Sequence, residues 1–379
     1  MVYFDNAATT YPKPVSVISA MSKAMVNYGA NPGRSGHKLS METAEAVFGS
    51  REKCAEFFGA ETENTVFMLN CTYALNMAIK GILTKNSHII TSDLEHNAVI
   101  RPVHAASKEN GITYSVAHVS ENDDETVRNF EKLINPHTKA VVCTCASNVT
   151  GQILPYRRIG EMCARHGLCF ILDAAQGSGV LPINLSDDNI NIICSAGHKG
   201  LYGPMGTGLM ITDGKYRLKT IIEGGTGSAS KEIEQPEFLP DRFESGTINT
   251  SGAISLGAGI DFVTDKGIDT IYNHEWKLCK LFFDEIRKNP QVVLYSEEYG
   301  RNRVPIVPFN IEGMSSEEAA GILSREGFFL RGGFHCAFLA HNQLGTSEIG
   351  AVRFAPSVFN TRAEVIQFIR TVNRYTSRL

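Results

Sequence analysis

The chain has 379 residues, of which 43% are hydrophobic and 20% are charged, and its formal net charge is −4. These values predict a soluble globular protein large enough for two domains, with no sign of a nucleic-acid-binding or membrane-binding surface. No apolar run is long enough to cross a bilayer and the N-terminus lacks a signal-peptide pattern, so we expect a cytoplasmic location. The nine cysteines have no regular spacing, which argues against a disulfide framework.

Short apolar runs alternate with helical patterns between residues 65 and 212. The apolar runs are rich in Val, Ile, Phe and Cys and show little polar alternation, which is typical of strands buried on both faces of a sheet. This alternation predicts an α/β fold with a mostly parallel, seven-stranded sheet and helices on both faces. The predicted strands are Thr65–Leu69, His88–Thr91, Thr113–Val119, Lys139–Ala146, Cys169–Asp173, Ile190–Ser195 and Gly208–Thr212.

Helical patterns lie between these strands. Those that begin at Ala98 and Arg157 should stop at Gly111 and Gly167, because glycine readily adopts the left-handed conformation that ends many helices. The predicted helices are Tyr73–Leu83, Ala98–Lys108, Asp124–Leu133 and Arg157–Arg165.

The pattern changes after the glycine-rich run at 224–228. A long helical region starts near residue 253, and three further candidate strands lie at Gln291–Tyr295, Val304–Asn310 and Ala351–Ala355. We therefore predict an N-terminal arm over residues 1–14, a large domain over 15–264 and a smaller α+β domain over 265–379. The arm is expected to contribute to the small domain and to the active site.

Polar runs follow five of the predicted strands. In sheets of this kind, ligands bind beyond the carboxyl ends of the strands, so these runs predict a single site. The runs are Asn70-Cys71-Thr72, Glu95-His96-Asn97, Ser147-Asn148, Asp173–Gln176 and Gly197-His198-Lys199.

Lys199 and Asp173 are the most informative pair in this set. They lie 26 residues apart, each just after or at the end of a buried strand. A lysine amine can form a Schiff base with pyridoxal 5'-phosphate (PLP), and a carboxylate can keep the pyridine nitrogen of PLP protonated. The alternatives are a solvated loop lysine and an aspartate that caps a turn.

Four other side chains could complete a PLP site. Gln176 can reach the ring oxygen and His96 can stack on the ring, while Thr72 at a helix N-terminus can bind phosphate. Arg353, on an apolar strand, could hold an amino-acid carboxylate. The alternatives are simple helix capping by His96 or Thr72, a surface position for His96, and an internal ion pair of Arg353.

Cys336 ends the run Arg331-Gly332-Gly333-Phe334-His335-Cys336. A simple aminotransferase needs no thiol here, whereas a thiolate could attack the sulfur of a bound cysteine. An inert loop thiol is the alternative. His335, Cys336 and His341 could be imagined as metal ligands, but without a visible partner pair we expect no metal.

Together these residues resemble the cysteine desulfurase/selenocysteine lyase family, which lies in the class V aminotransferase group of fold-type I PLP-dependent enzymes. The resemblance extends over nearly the whole chain, and the short spacing from Cys336 to Arg353 is similar to the short-loop subgroup. The motifs are Tyr3–Thr10, Arg34–His37, Glu95-His96, Ser147–Gly151, Asp173–Gln176, Gly197–Lys199, Gly246-Thr247, Arg331–Cys336, Arg353 and Phe359–Thr361.

The resemblance implies a role for each matching residue. Lys199, Cys336 and His96 would be catalytic. PLP would be bound by Thr72, His96, Asn148, Asp173, Gln176, His198, Lys199 and, from the second subunit of a homodimer, Thr247. Substrate would be bound by His37, Asn148, Arg331 and Arg353.

The implied reaction converts L-cysteine to L-alanine and leaves a persulfide on Cys336, from which an acceptor protein could take the sulfur. The alternatives are a selenocysteine lyase, an aminotransferase or β-lyase, and a PLP-binding scaffold without activity. The chain departs from many relatives at Ala196, where a phosphate-binding hydroxyl is common. Ser195 or a water could replace that hydroxyl.

Overall fold

The computed structural model describes residues 1–33 and 36–377. Arg34 and Ser35, which begin the Arg34–His37 motif, lie outside the described residues, as do the last two residues of the predicted small domain.

A seven-stranded sheet forms the centre of the molecule. Strand β1 (Val2–Tyr3) comes first in the chain and is not part of this sheet. The seven strands of the sheet are β2 (Thr65–Met68), β3 (His88–Ser92), β4 (Thr113–Ala117), β5 (Thr138–Thr144), β6 (Cys169–Asp173), β7 (Ile192–Ala196) and β8 (Gly208–Thr212). The order across the sheet is β2-β8-β7-β6-β5-β3-β4. Strand β8 runs antiparallel to both of its neighbours, β2 and β7, and the other six strands share one direction. The predicted mostly parallel sheet of seven strands is confirmed.

Helices cover both faces of this sheet. Side chains that alternate along β5, β6 and β7 enter two separate core clusters, one on each face. One cluster includes helices α3 and α4, and the other includes α2, α5, α6 and α7. These helices and the preceding one are α1 (Val15–Asn27), α2 (Lys38–Phe58), α3 (Cys71–Ile82), α4 (Asn97–Ala106), α5 (Asp123–Glu131), α6 (Tyr156–His166) and α7 (Thr250–Lys266).

The C-terminal part has its own core around a three-stranded antiparallel sheet. Phe4 of the N-terminal arm is fully buried in this core, and β1 pairs in parallel with β11. The elements are α8 (Ile268–Ile286), β9 (Val292–Leu294), β10 (Val307–Ile311), α9 (Ser316–Arg325), β11 (Phe328–Phe329), α10 (Phe338–Leu344), β12 (Val352–Phe354) and α11 (Arg362–Thr376). The domain limits stay a prediction; residue 264 falls in the last turn of α7.

Helix ends test the glycine predictions. Helix α6 ends at Gly167, whose φ of 65° is left-handed, as predicted. The prediction for Gly111 was wrong, because α4 already ends at Ala106. The chain leaves α4 through short turns, in which Lys108 and Glu109 donate backbone hydrogen bonds to carbonyls three residues earlier. In the described residues, no helix is both long and apolar enough to span a membrane.

Candidate active site

The polar runs at the strand ends meet around a cavity of about 220 Å³. Each of the five predicted runs contributes at least one lining residue to this cavity. Of the predicted site residues, those that line the cavity are Thr72, His96, Asn148, Asp173, Gln176, His198, Lys199, Arg331 and Arg353.

Lys199 and Asp173 face this cavity from neighbouring segments of the sheet edge. Asp173 is the last residue of β6, and Lys199 lies three residues beyond β7. Burial lowers the pKa of Lys199 and raises that of Asp173. Each charge partly offsets the effect of burial on the other, and the Asp173 carboxylate acts on the amine through space rather than through a hydrogen bond. The cavity is therefore lined by a half-buried lysine and a buried acid.

Cys71 is a site residue that the sequence analysis did not single out. It is the first residue of α3, and its thiol donates a hydrogen bond to Asp173 Oδ1 over 3.4 Å. The same oxygen accepts the backbone N–H of Ala175 at 3.0 Å. Two donors thus fix the orientation of the carboxylate. In the sequence, the signal for Cys71 was its position next to Thr72 at the end of a predicted strand.

His96 caps α4, as one of the alternatives proposed. Its Nδ1 accepts the backbone N–H of Ala98 at 3.0 Å, so any proton on the neutral ring lies on Nε2. Burial, followed by the nearby cations Lys199 and Arg353, lowers the pKa of His96 to about 4. The ring is therefore neutral at physiological pH and lies on the cavity wall, where stacking on a cofactor stays a prediction.

The N-terminus of α3 offers donors to an anion. The Asn70 side chain already accepts the backbone N–H of Tyr73 at 3.0 Å. Thr72 lies in the same first turn of α3. The first N–H groups of a helix have no carbonyl partner within it. His198 contributes a neutral ring, because burial and the adjacent Lys199 lower its pKa to about 4.

Ser195 cannot replace the hydroxyl that is missing at Ala196. Successive strand residues point to opposite faces of a sheet, so Ser195 faces away from the cavity that Ala196 lines. Its hydroxyl is fully buried and donates to Ser178 Oγ at 2.7 Å. The suggestion that Ser195 takes over this role was wrong.

Arg353 takes part in an internal ion pair, the alternative to a substrate contact. Its Nη2 lies 2.8 Å from Asp5 Oδ1, and its Nη1 donates to the backbone carbonyl of Asn148 at 2.9 Å. Arg353 is 2% exposed and lines the cavity. A role in binding a substrate carboxylate remains a prediction, and Asp5 is a further residue of the site.

The N-terminal arm supports the loop that carries Lys199. Thr10 Oγ1 donates to the Lys199 carbonyl at 2.7 Å, and Lys13 Nζ donates to the His198 carbonyl at 2.7 Å. The Gln176 amide in turn donates to the Ala7 carbonyl at 3.0 Å. These contacts connect residues far apart in sequence, so local patterns could not predict them.

Cys336 lies next to two residues that line the cavity, His335 and the exposed Arg331, and we call this exposed edge the cavity mouth. The structure describes all nine cysteines, and among them Cys336 alone is exposed. Its Sγ lies 4.0 Å from Nη2 of Arg331. The backbone N–H of Asn97 donates to the Cys336 carbonyl at 2.7 Å, which connects this turn to the start of α4. Within residues 1–33 and 36–377, no group of three or more His, Cys, Asp or Glu side chains is arranged to hold a metal ion.

Two predicted site residues lie away from the cavity. His37 is exposed and caps α2 by accepting the Ser40 N–H at 3.2 Å. Thr247 is exposed and lines a different cavity of about 250 Å³ together with Leu69 and Tyr73. Within one chain, neither side chain joins the Lys199 site.

Comparison with known proteins agrees with this geometry. A family model described as aminotransferase class-V matches residues 2–368. The chain is 30% identical over 371 residues to a probable cysteine desulfurase of Methanothermobacter thermautotrophicus, spanning 96% of this chain and 92% of that protein. It is also 30% identical over 374 residues to one from Halalkalibacterium halodurans, spanning 96% and 90%.

The fold is similar to that of apo cysteine desulfurase from Thermococcus onnurineus NA1. The TM-score is 0.92 and the sequence identity 29%, and the match covers 100% of this chain and 95% of that one. The chain therefore belongs to the class-V aminotransferase family. Within this family, the two relatives named above are called probable cysteine desulfurases, and the solved structure is that of a cysteine desulfurase. The predicted family and fold are confirmed.

Proposed function

We propose that this chain is a PLP-dependent cysteine desulfurase that converts L-cysteine to L-alanine and takes the sulfur on Cys336. The observation that carries this proposal is the arrangement of the site. A half-buried amine and a buried acid, Lys199 and Asp173, line one cavity, and an exposed thiol lies at its mouth next to Arg331. The names of the relatives support the same activity.

The residues of the cavity fit PLP. Lys199 would hold the aldehyde carbon, Asp173 the pyridine nitrogen and Gln176 the ring oxygen. The first turn of α3, with Thr72, would hold the phosphate. The buried Asp173 carboxyl, oriented by two donors, is suited to a cationic ring nitrogen. When bound, PLP withdraws electrons from the α-carbon of an amino acid.

The residues of the chain would then bind the substrate and transfer its protons. Arg331 and Arg353 supply positive charge for the substrate carboxylate. Lys199 would act as the base that moves the Cα proton, a role that its lowered pKa favours. His96, neutral and oriented by its capping bond, would cover one face of the ring.

Sulfur transfer would take place at Cys336. The Cys336 sulfur bonds to the substrate sulfur as the substrate C–S bond breaks, and the three-carbon product leaves as alanine. The balance is L-cysteine plus a Cys336 thiol giving L-alanine plus a Cys336 persulfide. Because Cys336 is exposed, an acceptor protein or a reductant could reach that persulfide.

A homodimer would explain where Thr247 and His37 act. Thr247 would reach the phosphate site of the second subunit, since it does not line the cavity of its own. Apolar side chains near these two residues are exposed, which favours a covering partner. They include Leu39, Met41, Phe48, Leu69 and Tyr73.

The direct test is an assay of alanine and persulfide sulfur formed from L-cysteine by PLP-loaded protein. We expect equal amounts of both products, no activity in Lys199→Ala, and a borohydride-stable pyridoxyl adduct at residue 199 of the wild type. Pyruvate formation or a keto-acid requirement would instead indicate a β-lyase or an aminotransferase. Wild-type protein that acts on L-selenocysteine but not on L-cysteine would indicate a selenocysteine lyase.

A further inference from the structure

Two adjacent residues in the Cys336 turn have unusual backbone conformations. His335 has a φ of 49° and Cys336 a φ of 56°, both in the left-handed region that residues other than glycine seldom adopt. Such conformations persist only where the surrounding structure imposes them, and they cluster at functional sites. Contacts with the surrounding structure must therefore hold this turn.

Three hydrogen bonds hold the turn from outside. His335 Nε2 lies 2.9 Å from the Ala351 carbonyl, the Asn148 amide donates to the His335 carbonyl at 2.8 Å, and Asn97 N–H donates to the Cys336 carbonyl at 2.7 Å. Only the first of them uses the His335 side chain, which is 2% exposed. The imidazole therefore anchors the turn to the Ala351 carbonyl.

The chemistry of this imidazole suits an anchor rather than an acid or base. A carbonyl only accepts hydrogen bonds, so the His335 proton is on Nε2. Burial, followed by the charge of Arg353, lowers the pKa of His335 to about 2 and keeps the ring neutral. A neutral, buried ring with one fixed donor can hold a carbonyl at all physiological pH values.

We infer that His335 is a positioning residue, whose bond to the Ala351 carbonyl directs Cys336 toward Arg331 and the cavity mouth. This inference depends on the proposed function for the role of Cys336 as sulfur acceptor. The position of the turn matters for that role, because a reacting atom misplaced by about 1 Å can slow a reaction by about 100-fold.

The test compares two substitutions of His335. In His335→Gln the side-chain amide can still donate to Ala351, whereas in His335→Leu no donor remains. A control, His88→Leu, removes another buried imidazole, one that bonds Thr138 and Ser115 at the far end of β3. The two readouts are the rate of Cys336 alkylation by iodoacetamide, measured by peptide mass spectrometry, and single-turnover persulfide formation from L-cysteine.

We expect His335→Leu to slow persulfide formation by about 100-fold, while His335→Gln and His88→Leu stay near wild type. The alkylation rate of Cys336 should change in His335→Leu alone. Equal rates in all three variants, or equal losses in the Gln and Leu variants, would overturn the inference. Since alkylation needs no substrate, it also tests the position of Cys336 in a wild type that fails to desulfurate cysteine. In that case, the failure counts against the proposed function and not against the anchor.

Discussion

Two cysteines border the candidate site, and they differ in almost every physical respect. Cys71 is buried in the cavity wall at the start of α3, where it donates to Asp173. Cys336 is exposed at the mouth, beside the Arg331 guanidinium. Surroundings, rather than side-chain type, therefore decide which of the two thiols suits the proposed role of sulfur acceptor.

The protonation of Cys71 follows from its surroundings. Burial and the neighbouring Asp173 carboxylate raise the pKa of Cys71 well above its ordinary value. The thiol therefore stays protonated and serves as a hydrogen-bond donor, whereas sulfur transfer requires a thiolate that substrate and acceptor can reach.

The largest expected effect separates these two thiols in catalysis. Cys336→Ser should lower persulfide formation from L-cysteine by about 100-fold or more, because a hydroxyl does not take up sulfur. Cys71→Ser keeps a donor to Asp173 and should stay within about three-fold of wild type. Single-turnover assays on PLP-loaded proteins provide the measurement. Equal losses in the two variants would remove the distinction.

A second expected effect concerns cofactor affinity. Cys71→Ala removes a hydrogen bond to a charged group, worth about 1.5 kcal/mol, and should weaken PLP binding by about ten-fold. The control is Cys194→Ala, because Cys194 is fully buried and pairs with Asp173 across β6 and β7 without bonding its carboxylate. Equilibrium titration of the apo-proteins with PLP measures both. Equal weakening in both variants would point to lost packing instead of the thiol donor.

The burial of His335, next to Cys336, should make the stability of the protein depend on pH. Burial lowers the pKa of His335 to about 2, so below pH 6.5 the unfolded chain binds a proton that the folded chain refuses. The free energy of unfolding should therefore decrease as the pH is lowered below 6.5. His335 should contribute up to about 1.4 kcal/mol per pH unit to this decrease. His335→Gln should reduce this slope in denaturant titrations between pH 7 and pH 5. An unchanged slope would contradict a lowered pKa of His335 in the folded chain.

The smallest expected effect has opposite signs at the two cysteines. Cys336→Gly should raise the free energy of unfolding by about 1 kcal/mol, because glycine adopts a positive φ without strain. Cys71→Gly should lower it by at least about 1 kcal/mol, since it removes a buried side chain from the first turn of a helix. Denaturant unfolding of the apo-proteins provides both values. A destabilising Cys336→Gly would mean that the Cys336 side chain itself holds the turn.

Much of the large sheet could be predicted from sequence, because burial on both faces leaves a local signal. The limits of β6 (Cys169–Asp173) and β8 (Gly208–Thr212) match the prediction at both ends. The gathering of Lys199 and Asp173 followed from the geometry of parallel strands, whose carboxyl ends share one edge. The short pairing of β1 with β11 left no such signal, because two-residue strands are too brief for a pattern.

What the sequence determined by itself was the chemistry of the site: an amine, an acid and a thiol at predictable places along the chain. Tertiary structure alone decided their surroundings. The bond from Cys71 to Asp173, the ion pair of Asp5 with Arg353 and the anchor of His335 to Ala351 each depend on the meeting of separate elements. Local periodicity records which face a residue buries, but it carries no information on which distant atom that residue will meet.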